Sequence, residues 1–286
     1  MWIFDNLTLS NINIDLGEDT VLVLKGDTSI SSDRQVNSKP VKITGPGMIV
    51  QYKGSFYGEG LSFEGQKSVG IRGVSWSGGV NFIEANVALK SCAVSDNHSE
   101  DAINFVHSST DIDTLTVGNS PSDAIDVDFG EIRFDEILCE NIGNDCLDTS
   151  GAEVDGVSLE GVSVGDKLFS AGEDTSARIS TLKGDSIGIG VVSKDASNVE
   201  INNLELTNTS LFAAAFNKKE FFGVASLTID NTGQKFSEKM KDDRFLVARN
   251  NYLSVDGGIL LGAKKSSAIE ALMYGAVYGK ATNRAR

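Results

Sequence analysis

The chain has 286 residues, 40 of them acidic and 25 basic, and a formal net charge of -15. No local basic stripe interrupts that excess, which argues against nucleic acid as a partner. Hydrophobic residues at 40% and charged residues at 23% suit a folded chain rather than an acidic disordered tail. No run approaches the roughly 18 apolar residues of a membrane helix, so membrane insertion is not expected.

Residues 1–5 lack the basic and long apolar regions of a signal peptide, and no targeting signal is read in the chain. Strand-like runs follow at residues 9–14, 20–24, 41–43 and 69–71, separated by Gly-rich turns, and predict coils of uneven length. From about residue 80 a repeat takes over. Asp101-Ala-Ile-Asn-Phe105, Asp123-Ala-Ile-Asp-Val127 and Asp145-Cys-Leu-Asp-Thr149 begin 22 residues apart, and Asp166-Lys-Leu-Phe-Ser170 and Ile187-Gly-Ile-Gly-Val191 follow at intervals of 21. Asn97, Asn119 and Asn141 also recur at 22 and read as a corner ladder.

Within each copy, side chains alternate with period two. Ile103 and Phe105, Ile125 and Val127, Leu147 and Thr149, and Ile189 and Val191 face one way, and Asn104, Asp126 and Asp148 face the other. Second short strands are expected at residues 87–89, 132–134, 154–157 and 199–201. No window between residues 80 and 210 carries a sustained helical stripe, and strands this close leave no room for crossover helices. The pattern predicts an all-β fold, a single parallel β-helix of about 22 residues per coil whose coils stack at about 4.8 Å. Ile103, Ile125, Leu147, Leu168 and Ile189 would form its inward column.

Residues 210–235 read as a last coil or two. Residues 234–244 read as a loop, residues 245–247 and 252–255 as a closing pair of strands, and residues 267–274 as a helix reached through Asp256-Gly-Gly258. The expected division is therefore a β-helix over 1–235 and, over 236–286, a C-terminal capping segment with a short helix, since a solenoid end needs a cap. Cys92, Cys139 and Cys146 cannot all pair and lack metal-ligand spacing. They read as small buried hydrophobes, with a Cys139 to Cys146 bridge as the alternative.

The ordered set Ser99-Glu-Asp-Ala-Ile-Asn-Phe105, Ser122-Asp-Ala-Ile-Asp-Val-Asp-Phe129, Ile142-Gly-Asn-Asp-Cys-Leu-Asp148, Val164-Gly-Asp-Lys167 with Ala171-Gly-Glu173, and Val192-Ser-Lys-Asp195 resembles a right-handed parallel β-helix module of the pectin-lyase-like superfamily. More narrowly it is similar to bacterial modules found beside spore-coat-protein-H-type kinase domains or in surface proteins, and Ala213-Ala-Ala-Phe-Asn-Lys-Lys219 fits that pattern too. The resemblance covers roughly residues 60–260 and implies right-handed winding. The wider superfamily is rich in polysaccharide lyases, hydrolases and epimerases, which implies a polysaccharide or cell-surface glycan as partner and an extracellular or cell-surface location. Asn144-Asp-Cys-Leu147 is similar to part of the galacturonan hydrolase pattern, but this chain has neither the Gly-His-Gly nor the Arg-Ile-Lys of those enzymes.

Three readings of the aspartates stay open. They can cap corners by bonding their own backbone. Asp123, Asp126, Asp128, Asp145 and Asp148 offer the hard oxygens that calcium favours. Asp126 and Asp148 could also act as paired catalytic carboxylates. Lys167 and Lys194 add basic groups beside this acidic column, with His107, Glu173, Asp195 and Lys218 as substrate-binding candidates. A lyase or epimerase acting on a uronate needs a cation and a base, and either lysine could be that base only with a lowered proton affinity. The alternative for these lysines is ordinary salt bridging.

The leading expectation is a non-catalytic β-helix module for polysaccharide binding or for cell-surface or extracellular scaffolding, with calcium as the one cofactor candidate. The first alternative is a calcium-assisted lyase or epimerase acting on a uronate-containing glycan through Asp126, Asp148, Lys167 and Lys194. The second is a phage or coat assembly protein.

Overall fold

A computed structural model describes residues 1–32, 40–70, 76–233, 244–275 and 278. They comprise 23 strands and one helix, and the coils wind right-handed. The chain divides into two compact units, residues 1–143 and 144–286.

In the first unit each coil returns its strands onto those of the coil before. Gly78–Ile83 leads to Asn86–Ser95, which bends at Lys90 and Ser91, and Asp101–Val106 then lies parallel on Gly78–Ile83. The register places Val80, Ile103 and Ile125 in one column and Phe82, Phe105 and Val127 in the next, all buried. Phe82 lies 5.2 Å from Phe105 in a near-parallel stack and 4.9 Å from Phe56 edge-on. Like residues stack because parallel, in-register coils bring equivalent positions within an interstrand spacing, and no coil can bury its own apolar face alone.

The turns between strands use single left-handed residues. Glu84, His107 and Phe129 hold φ of 48° to 54° at one corner, and Asp96, Asn119 and Asn141 hold 53° to 57° at another. The corner N–H groups reach the next coil: Glu84 donates to the Val106 carbonyl, His107 to that of Asp128 and Asp96 to that of Gly118. These bonds offset the cost of about 1–2 kcal/mol that a left-handed residue carries. The side-chain ladder is Asp96, Asn119 and Asn141, linked at 2.9 and 3.3 Å. Asn97 does not belong to it. It is buried one residue further on, where it accepts from the Ser99 N–H and donates to the Ser120 hydroxyl.

Two early expectations change. The run at 9–14 is broken by Asn11, at φ 51°, into Thr8–Ser10 and Ile14–Asp15. Val69 and Gly70 belong to no strand, and Ile71 lies outside the described residues. Val69 and Trp76 instead pack on Val21, Met48 and Val50, a small apolar cluster apart from the inward columns, and so cover a face that would otherwise meet water.

The second unit is built from Leu147–Ser150, Glu153–Gly172, Ser176–Lys194, Asn198–Thr207, Leu211–Phe216, Ser226–Asn231, Phe245–Val247 and Tyr252–Val255. Its inward column runs Leu147, Phe169, Val191, Ala213, Phe245. Leu168 is fully buried, as expected, but Leu147 aligns with Phe169, 22 residues on; the next coil pairs at 23 residues as far as Val164 with Ile187 and slips to 22 from Lys167 with Ile189 onward. Residues 245–247 and 252–255 are strands, but they are not partners. Phe245–Val247 lies on residues 213–215 and Tyr252–Val255 on residues 226–229, as two sides of a further coil. Tyr252–Val255 then folds back antiparallel onto Gly258–Leu260 through Asp256 and Gly257, at φ 49° and 77°, the pair of left-handed residues a tight hairpin demands. The helix Ser266–Met273 follows. Its Ile269 and Met273 pack on Ile189, Val192, Leu211, Ala214, Phe216 and Ala248, closing an apolar face of this unit.

Cys92 is a free, buried thiol that burial pushes up to about 12, out of reach of thiolate chemistry. Cys139 and Cys146 are each buried and disulfide-bonded.

Candidate functional site

The acidic face of the first unit follows from strand register. Asn81, Asn104 and Asp126 occupy one column pointing away from the core, Asp101 lies beside Asp123, and Val106 beside Asp128. Asp101 and Asn104 are buried, whereas Asp123, Asp126 and Asp128 are half-buried. The Asn104 amide donates to the Ser77 hydroxyl at 2.6 Å and to the Asp101 carboxylate at 3.3 Å. Burial raises the Asp101 pKa to about 7, with the charges of Asp123, Glu100 and Asp128 adding to the rise and a hydrogen bond with Ser77 opposing it. His107 stands exposed at a corner, its ring stacked 5.4 Å from that of Phe129.

The second unit holds the densest charge cluster that the structure describes. Lys167 sits one coil after Asp145, and its backbone N–H donates to that carboxylate at 2.9 Å. Its ammonium group lies 3.3 Å from both Asp145 oxygens and 2.6 Å from Asp166. All three side chains are at most 6% exposed. The other Asp166 oxygen is buried with no hydrogen-bond partner. Lys194 reaches Asp148 at 3.7 Å by lying across Gly172, where a Cβ would stand 3.0 Å from its Cε. The Tyr274 ring, just past the helix, covers the cluster 5.5 Å from the Lys167 ammonium and 4.8 Å from that of Lys218. Asp195 accepts the backbone N–H groups of Lys218 and Lys219 at 2.6 and 2.7 Å, and Lys219 pairs with Glu173.

The electrostatics of both lysines follow from these contacts. Burial pulls the Lys167 pKa down, but Asp145 and Asp166 overcome it and hold the ammonium above its ordinary range. Burial likewise opposes the charge on Lys194, and Asp148 and Tyr274 outweigh it. A general base needs the opposite shift, because only a neutral amine can take a proton. Both lysines stay cationic near neutral pH, and both ammonium groups already face carboxylates of the protein.

Asp145 meets Lys167, Asp148 meets Lys194, and Asp195 meets the backbone of Lys218, whereas Glu173 is paired with Lys219, a residue outside the expected set. Asp123, Asp126, Asp128 and His107 lie in the first unit. Among the described residues, no three His, Cys, Asp or Glu side chains are grouped to hold a metal ion. Asp166 and Tyr274 were missing from the expected set. A strict 22-residue alignment from Asp145 would have landed on Lys167 and exposed the pairing, whereas matching Asp145 to Asp166 concealed it. Nothing local to Tyr274 announces its role.

These features define a right-handed parallel β-solenoid whose most reactive-looking side chains are tied to one another. No family model matches the chain, and neither a curated protein nor a solved structure matches it. No helix among the described residues is long and apolar enough to cross a membrane.

Proposed function

We propose that the protein is a non-catalytic β-helix module that binds or presents a polysaccharide, at a cell surface or outside the cell, in the manner implied by its resemblance to pectin-lyase-like modules. The observation that carries this reading is the pairing of Lys167 with Asp145 and Asp166 and of Lys194 with Asp148. A lyase needs a free cation to neutralise a uronate and a neutral base to take its proton. Here the cations are saturated and held protonated, which supports a stabilising role for the cluster.

The test is incubation with a panel of uronate and neutral polysaccharides, with calcium and with chelator, following unsaturated products by absorbance and product size by mass spectrometry. Polymers that bind and are recovered at unchanged length support the module. Shortened or unsaturated products that disappear in Lys194→Ala or Asp148→Asn would overturn it in favour of the lyase.

A further inference from the structure

A groove of about 480 Å³ crosses the coils of the first unit, away from the aspartate column. It is a product of register. Ser29, Tyr57, Ala88 and Asp111 occupy successive coils at one outward position, so one aromatic ring stands between two small side chains with a carboxylate beyond. At the rim, Asp27 and Asn86 are exposed, and the Asp27 carboxylate is fixed by the Ser55 N–H at 3.2 Å. The Tyr57 hydroxyl donates to Glu59 at 2.6 Å, which pins the ring of this half-buried residue along its strand and removes rotamer freedom before any ligand arrives.

We infer that this groove is a binding site for a neutral, hydroxyl-rich glycan segment that stacks a sugar ring on Tyr57. The inference rests on the binding-module reading above and supplies its ligand class and location. Three features of the groove select the ligand. The pinned phenol offers an apolar face of the kind that packs against the C–H face of a pyranose. Asp27, Asp111 and the Asn86 amide accept hydrogen bonds from hydroxyl groups, and ionised acceptors make the stronger ones. The charged residues lining the groove are these two aspartates, and the neighbouring cations are already engaged, Arg133 by Asp111 at 3.8 Å and by Glu131, and Lys90 by Asp113, so a uronate would meet carboxylates first, on a chain already carrying a charge of -15. The rise of about 4.8 Å per coil is close to the length of one sugar unit, so a glycan lying across the coils meets Ser29, Tyr57 and Ala88 in turn.

The experiment is isothermal titration of the full chain with hexasaccharides of neutral glucan, mannan and galactan, and with a hexagalacturonate. The variants are Tyr57→Ala, which removes the ring, and Ala88→Arg, which fills the hollow beside it from a half-exposed position. Circular dichroism checks that both keep the fold. Binding of a neutral hexasaccharide that weakens about tenfold or more in both variants is the expected result. Neutral binding that survives both substitutions, or binding of hexagalacturonate alone, overturns the groove and leaves the module reading standing. Absence of binding to every probe overturns both.

Discussion

Replacing Asp101 with asparagine should stabilise the protein above neutral pH and flatten the pH dependence of its stability. The Asp101 side chain is buried, and its carboxyl is raised from an ordinary value near 3.8 to about 7, first by burial and then by Asp123, Glu100 and Asp128. At about 1.4 kcal/mol for each tenfold change in proton affinity, ionising this group in the folded state costs about 4 kcal/mol more than in the unfolded chain. The sign follows from proton counting. Between about pH 4 and about pH 7 the unfolded chain has released a proton that the folded chain retains, so stability falls as pH rises through this window and levels off beyond it. The amide of the Asp101→Asn variant would be neutral throughout and nearly the same shape as the carboxyl it replaces beside Asn104. At about pH 8 this variant should therefore be more stable by up to about 4 kcal/mol, and near pH 4 the advantage should vanish. Urea unfolding followed by far-ultraviolet circular dichroism across that range measures the difference, and carboxyl-carbon NMR reads the titration directly. An Asp101 signal that titrates near 4, or a variant with the same pH slope as the parent, would refute the argument.

Lys167→Met leaves the buried carboxylates of Asp145 and Asp166 without their cation and should cost about 3–5 kcal/mol in urea unfolding. A loss under about 1 kcal/mol would mean that the cluster is solvated. In the parent protein the raised Lys167 pKa contributes stability that is full below about pH 10.4, the unfolded value, and is lost as pH rises through the higher folded value. That alkaline loss should be reduced in Lys167→Met. Met273→Ala should cost about 2–5 kcal/mol and increase binding of a hydrophobic dye, because the helix contact with Val192, Ala214 and Phe216 is weakened. The Cys92 thiol should resist iodoacetamide in the folded protein at about pH 8 and react on unfolding, as read by mass spectrometry.

Much of this architecture is legible in the order of residues. The 22-residue recurrence of Asp-Ala-Ile-Asn and its variants, with alternation inside each copy, points to stacked coils, because only stacking can bury so narrow an apolar face. The hairpin at Asp256 and Gly257 is not among the expected elements, because Asp256-Gly-Gly258 reads as the link to the helix, although two left-handed residues in succession suit few other turns. The helix found at Ser266–Met273 lies within one residue of its expected place because its apolar positions recur at helical spacing. The strands at residues 245–247 and 252–255 are equally local, but their partners are not: each pairs with a strand of an earlier coil, and short runs carry no label for that choice.

The site is less legible than the fold. Asp145, Asp148, Lys167 and Lys194 stand out as charged residues in a repeating frame, but nothing in their types says whether they face solvent or one another. The 22-residue interval that sets Leu147 against Phe169 also sets Lys167, rather than Asp166, opposite Asp145, and in a β-coil an offset of one residue decides which side chain meets which neighbour. The proton affinities of both lysines then depend on carboxylates in earlier coils, Asp145 one coil from Lys167 and Asp148 two coils from Lys194, and on Tyr274 arriving from the far end of the chain. Local patterning can dictate a coil because the driving force, burial of alternate side chains, is expressed within a few residues. Burial and charge balance are sums over neighbours from several coils, and they exist only once those coils have stacked.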